Sequence, residues 1–207
     1  MPKLNDSQIK EVYNQIAEGF YNIRQHPITP EVAKIAEAWK PGKLLEIGCG
    51  IGNSLPLFLQ KGFDCIGIDI SSKMIKNARK FAEKNHVYFN LEVASALNLP
   101  FKDRQFDYVI SIAVLHHLDS EEKRLCVLEE MRRILKPKGR IFFTVWNKPI
   151  TKKKDMWIPW NKKRKKHNRY YHFFGKKELE ALLKKAGFKK YKIFEDGKKK
   201  NLCVLIA

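Results

Sequence analysis

An acid, a glycine-rich turn and a second acid follow one another at the ends of two short apolar runs: Glu46, then Gly48-Cys49-Gly50-Ile51-Gly52, then Asp69. Glycines at a strand-to-helix turn let the backbone approach a ligand where a side chain would block it. Asp69 falls 17 residues after Gly52, where a carboxylate accepts both hydroxyls of an adenosine ribose. Glu46, just ahead of the glycines, would repel a pyrophosphate but suits a sulfonium and an ammonium. Asn53 stands where the dinucleotide fingerprint needs its third glycine, which disfavours NAD. These residues fit a cationic, phosphate-free, nucleotide-type cofactor.

Alternating strands and helices must hold those groups together. Lys43–Ile47 is a short apolar run entering the glycine turn. Asn53 or Ser54 can cap the helix beyond it, and Pro56 is tolerated in its first turn, where amides lack intrahelical partners. Gly62 ends that helix, and residues 63–68 read as a second strand. Ser71 or Ser72 then caps an amphipathic helix through Met74, Ile75, Ala78 and Phe81. Residues 87–93 and 106–114 read as strands around a loop at 97–105. A helix over 121–135 is stopped by Lys136-Pro137-Lys138-Gly139, and a fifth strand follows at 140–146. Lys176–Lys185 is the last helix, ended by Gly187; runs at 188–195 and 201–207 meet across Asp196-Gly197 as a hairpin. The succession predicts an α/β fold with a parallel sheet covered on both faces.

With 207 residues and 44% apolar side chains, the chain is long enough for one domain with a full core. No run approaches the roughly 20 apolar residues of a membrane span. Residues 1–10 lack a signal-peptide core, so a cytoplasmic protein is expected. Cys49, Cys65, Cys126 and Cys203 show no Cys-x-x-Cys spacing; disulfides and metal sites are not expected. Charge is the strongest signal: 41 Lys and Arg against 22 Asp and Glu leave +19. Residues 148–169 hold ten of the bases and one acid, Asp155. Lysine clusters interleaved with Trp157, Trp160 and His167 suit phosphate neutralisation and base stacking; a solvated loop that orders on RNA is compatible with both. Lys198-Lys199-Lys200 either extend that footprint or charge a hairpin turn.

The segment from Glu46 to Gly52, Asp69, and Phe106-Asp107-Tyr108-Val109-Ile110 resemble the successive motifs of class I S-adenosylmethionine-dependent methyltransferases. The resemblance covers roughly residues 43–146 and continues through the hairpin. It implies a doubly wound, Rossmann-like sheet of seven strands, mostly parallel, in a single domain over 1–207. Residues 1–40 would form a helical cap, and 148–172 a basic insertion between strand five and the last helix. It implies S-adenosyl-L-methionine as cofactor, held by Tyr13, Glu46, Gly48, Gly50, Asp69, Ile70, Met74, Ser95, Ala96, Leu97, Ile112 and Ala113. One position departs: an Asp usually follows the third strand to meet the adenine, and here it is Ser95, a weaker, neutral acceptor.

Methyl transfer is an in-line displacement that needs alignment and exclusion of water, and a base only when the nucleophile carries a proton. A carboxylate nucleophile is already ionised and needs cationic and hydrogen-bonding groups instead. Candidates are Arg24, His116, Trp146, Arg169, Tyr170, Tyr171 and His172. Val12-Tyr13-Asn14-Gln15-Ile16-Ala17, the run from Ser111 to His117, Ile158-Pro159-Trp160 and Arg169-Tyr170-Tyr171-His172 resemble the tRNA wobble-uridine carboxymethyl methyltransferases. By that resemblance the substrate is wobble 5-carboxymethyluridine in the tRNA anticodon loop, and the catalytic set is Arg24, His116, Arg169 and Tyr170. Arg24 and Arg169 would face the RNA or its carboxylate, His116 would border the transfer site, and a small zinc-binding activator subunit would add a strand to the sheet edge. Two other readings compete: a small-molecule methyltransferase of quinone or sterol type, and a non-catalytic RNA-binding protein on the same fold.

Overall fold

The computed structural model describes residues 5–23, 30–147, 153–160, 167–197 and 200–207. Helices α1 (Asp6–Ile23) and α2 (Pro30–Ala38) precede strand β1 (Lys43–Ile47). Then come α3 (Leu55–Leu59), β2 (Asp64–Asp69), α4 (Ser72–Lys84), β3 (Asn90–Val93) and β4 (Phe106–Ile112). A single 3-10 turn, Leu115–His117, leads to α5 (Glu121–Ile134) and β5 (Leu135–Trp146). The remainder is β6 (Asp155–Pro159), β7 (Asn168–His172), α6 (Lys176–Lys185), β8 (Tyr191–Glu195) and β9 (Asn201–Ile206).

Seven strands form one sheet in the order β3-β2-β1-β4-β5-β9-β8, parallel through β5 and antiparallel at β9 and β8. This is the Rossmann-like doubly wound architecture expected. Period-two alternation puts neighbouring residues on opposite faces. Leu45, Ile141 and Phe143 join the layer under α5 and α6, whereas Leu44 and Phe142 join the layer under α1 to α4. The chain winds to opposite sides from β1 and β4, which leaves a crevice beyond their C-terminal ends. Among the described residues, no helix is long and apolar enough to cross a membrane.

Three local expectations shift. Ser71 caps α4, accepting from the Met74 N–H at 3.1 Å, but Ser54 makes no side-chain cap to α3. The third strand is shorter than 87–93. The helix does stop, at Ile134, but Lys136-Pro137-Lys138-Gly139 are no loop: with Leu135 they open β5, where register slips from Phe106↔Leu135 to Tyr108↔Arg140. A Cβ at Gly139 would lie 2.8 Å from the Asp107 carbonyl, so glycine admits the close approach there.

The larger departure lies in the basic insertion. Its described residues include a two-stranded antiparallel ribbon, β6 with β7, pairing Asp155↔His172 and Trp157↔Tyr170. The lysine clusters at 162–166 lie outside the described residues, as do Arg24, Lys152 and Lys198-Lys199.

Candidate active site

The crevice is built first from the glycine turn. Gly48 and Gly50 have φ of +67° and +56°, a region L side chains rarely adopt. A Cβ on Gly48 would fall 2.3 Å from Val114, so the fold itself, besides any ligand, requires glycine there. Both oxygens of Asp69 are engaged: Oδ2 accepts from the Gly50 N–H at 3.0 Å and Oδ1 from the Ser71 N–H at 2.8 Å. Each oxygen keeps a lone pair for a ribose hydroxyl. Burial pushes the carboxyl up to about 6 against the opposing pull of those two amides.

Glu46, next to last in β1, is 2% exposed, and its Oε2 has no hydrogen-bond partner. Burial pushes this acid up to about 8; a hydrogen bond with Ser54 opposes the rise and nearby Asp69 adds to it. An orphaned buried carboxyl oxygen on the wall of a cleft fits a cationic ligand group, which would supply the missing partner. The residues present therefore fit S-adenosylmethionine: diol at Asp69, ammonium at Glu46.

Helix α1 roofs the crevice. Asn14 accepts from the Ser71 hydroxyl at 2.7 Å and Asn77 donates to the Ala17 carbonyl at 2.8 Å, tying α1 to α4. Spacing along the helix turns Asp6, Ile9, Tyr13 and Phe20 to the cleft.

The far wall comes from the ribbon. Tyr171 stacks on Trp146 with centroids 4.5 Å apart and on His116 at 5.2 Å. The Arg169 guanidinium sits over the rings of Trp160 (4.9 Å) and Tyr171 (5.0 Å), and its Nε is buried without a partner. Trp160 in turn stacks on Phe20 of α1 at 5.5 Å, so ribbon and roof meet.

Two histidines close the floor in fixed tautomers. The Trp146 N–H donates to His116 Nδ1 at 3.2 Å, leaving Nε2 of the neutral ring as a donor. His117 Nδ1 donates to the Tyr170 carbonyl at 2.8 Å, leaving Nε2 as an acceptor. Burial drives His116 well below the usual histidine range, with His117 and Arg169 adding to it. Burial takes His117 down to about 3, with Arg169 adding to the fall and the bond to Tyr170 opposing it. Both shifts favour the neutral rings and weaken them as bases.

All twelve expected cofactor residues, from Tyr13 to Ala113, line this cleft, together with His116 and Arg169. Tyr170 does not. Its hydroxyl bonds Asp155, and the side chain borders a small separate hollow, because β7 turns alternate residues to opposite faces. The cleft receives Tyr171 instead. His172 also faces away, buried between Asp155 (2.7 Å) and Glu178 (2.6 Å). Trp160, expected to stack on bases, is held by Phe20 and Arg169, whereas Trp157 is 36% exposed. Sequence reasoning missed Asp6 and Phe20. Their spacing with Ile9 and Tyr13 on one helical face was the available signal.

A family model described as "Methyltransferase domain" matches residues 20–193. The Bos taurus protein named "Probable tRNA methyltransferase 9B" is 32% identical over 166 residues, covering 77% of this chain and 34% of its own length. The Schizosaccharomyces pombe protein named tRNA (carboxymethyluridine(34)-5-O)-methyltransferase is 28% identical over 209 residues, covering 86% of this chain and 87% of its own. The chain thus spans about a third of the first relative and most of the second. The PH0226 protein from Pyrococcus horikoshii OT3 superposes with a TM-score of 0.73 at 25% identity, covering 95% of this chain and 93% of that one. A chain of the complex between the Haloferax volcanii Trm112 methyltransferase activator and a methyltransferase superposes at 0.70 with 17% identity, covering 96% of each.

Proposed function

The chain belongs to the methyltransferase-domain family, with S-adenosyl-L-methionine as methyl donor, and from that premise we propose that it methylates the carboxylate of 5-carboxymethyluridine at the tRNA wobble position, forming a methyl ester. The observation that carries this reading is Arg169, whose guanidinium lies over two aromatic rings in the cleft with Nε lacking a partner. A planar fork of donors held in that way suits a carboxylate.

Bound S-adenosylmethionine supplies an electrophilic methyl group on sulfur. Glu46 and Asp69 hold the cofactor; Arg169 and the Nε2–H of His116 orient the acceptor; Tyr171 and Trp146 exclude water. The two histidines are weakened as bases, and an acceptor already ionised at neutral pH needs none. That pairing favours a carboxylate over a hydroxyl or ammonium acceptor. The Schizosaccharomyces pombe relative's name agrees with it.

The basic insertion is the RNA dock in this reading, with exposed Trp157 available to stack on a base. A cytoplasmic place of action goes with that substrate. An activator subunit at the β3 edge is supported by the exposure of Tyr88 (82%) and Val93 (50%) and by the Haloferax complex.

Labelled methyl transfer to tRNA carrying 5-carboxymethyluridine tests the reading. The label should be lost on mild alkaline hydrolysis, and nucleoside mass spectrometry should show the ester. A base-stable product overturns the ester chemistry. Transfer to a small molecule with none to tRNA overturns the substrate, and binding of tRNA without any transfer overturns catalysis.

A further inference from the structure

The base end of the crevice holds a carboxylate that the order of motifs does not anticipate. The loop after β3 is tied beside the ribose acid, since the Ala94 N–H donates to the Asp69 carbonyl at 3.1 Å. An adenosine with its diol at Asp69 therefore places its base along residues 94–97. The position suited to a charged acceptor there is Ser95, and its hydroxyl is already committed. Ser95 Oγ donates its one proton to Asp6 Oδ2 at 2.5 Å and accepts from the Leu97 N–H at 3.2 Å. Asp6, 89 residues away in sequence, lines the same cleft from the first turn of α1.

We propose that Asp6 is the cofactor's adenine-recognition residue, accepting from the exocyclic amino group, and that Ser95 positions it. A carboxylate has about four acceptor sites, and the Ser95 hydroxyl takes one. The obvious local role for an acid in a first helical turn is capping, and that role is already filled. Asn5 and Gln8 cap each other reciprocally, each accepting from the other's backbone N–H at 2.9 Å. The departure at Ser95 is thereby compensated: the acid has moved from the sheet to the roof. Because α1 also carries Tyr13 and Phe20 into the cleft, the adenine bond fastens the roof over the cofactor.

The inference rests on S-adenosylmethionine as cofactor, and calorimetry on the full chain separates the two ideas. The ligands are S-adenosylhomocysteine and its analogue with hydrogen in place of the 6-amino group. The unsubstituted protein should prefer the amino ligand by about tenfold or more, as for a charge-assisted bond. Asp6→Ala should reduce that preference to about twofold or less, with affinity for the analogue nearly unchanged. Adding Ser95→Asp to Asp6→Ala should restore the preference, a rescue that a structural role for Asp6 would not give. Equal losses for both ligands in Asp6→Ala, or a preserved preference, would overturn the assignment. If the unsubstituted protein binds neither ligand, the cofactor reading itself falls, and the proposal with it.

Discussion

Glu46 does opposite things to the free and the loaded protein. Alone, it is a buried acid raised from 4.5 to about 8, so the folded chain keeps a proton that the unfolded chain releases. Its contribution to stability is fully present below pH 4.5 and is lost as pH rises through 8, at up to about 1.4 kcal/mol per pH unit. The thermal midpoint of the free protein should therefore fall between pH 6.5 and 8.5 more steeply than that of Glu46→Gln. Saturating S-adenosylmethionine should flatten the slope, and Glu46→Gln should weaken cofactor binding by tenfold or more. Equal slopes in the two proteins would show that the carboxyl is not the titrating group. In the proposed reaction, Arg169 in the same cleft sets specificity. Lysine has no planar fork to stack on Trp160 and Tyr171. Arg169→Lys should leave cofactor affinity within about twofold but cut transfer to tRNA by about a hundredfold, roughly the 2–3 kcal/mol of a charge-assisted pair. Steady-state kinetics beside calorimetry would read both.

At the level of elements, the ribbon depends on His172. Carboxylate oxygens of Asp155 and Glu178 flank both ring nitrogens, and Lys154 bonds Glu178 at 3.0 Å, so β6, β7 and α6 are joined at one side chain. His172→Ala should lower stability by about 1–2 kcal/mol, discounted because both acids are partly exposed. It should impair tRNA transfer through a displaced Arg169 while sparing cofactor affinity. An unchanged transfer rate would mean that the ribbon holds itself in place. This element is also where the sequence was least legible. The sheet and its glycine turn were readable because their signals are local: apolar runs, positive-φ glycines and Asp69 one strand later. The ribbon was not, because Asp155-Met156-Trp157-Ile158-Pro159 lacks clean alternation and its order comes from pairing with residues a loop away. Once 168–172 is known to be a strand, period two assigns Arg169 and Tyr171 to the cleft and turns Tyr170 and His172 to the other face. Asp6 was hidden differently, since its partner Ser95 is brought to it by the whole fold.

Across the whole molecule, net charge and the charge of the cleft differ in sign. The chain carries +19, yet Asp6, Glu46 and Asp69 all line the cleft proposed for the methyl donor. A cationic cofactor thus enters an acidic pocket in a basic protein, and the two ligands should respond to salt in different ways. Neutralising on the order of four phosphates of a single-stranded anticodon loop gives a slope of about −2.8 in log K against log salt. Raising salt from 50 to 200 mM should then weaken tRNA binding about 50-fold. Glu46 and Asp69 are buried and screened less, so cofactor affinity should change by no more than about twofold over that range. Replacing the lysines and arginine at 162–166 by alanine should make the tRNA slope shallower without affecting the cofactor isotherm. Filter binding across a salt series, run beside cofactor calorimetry, measures the two responses separately. A tRNA slope unchanged by those substitutions would place the phosphate contacts elsewhere on the surface. A cofactor affinity that falls as steeply as that for tRNA would mean that its charge is read in open water, not in the crevice.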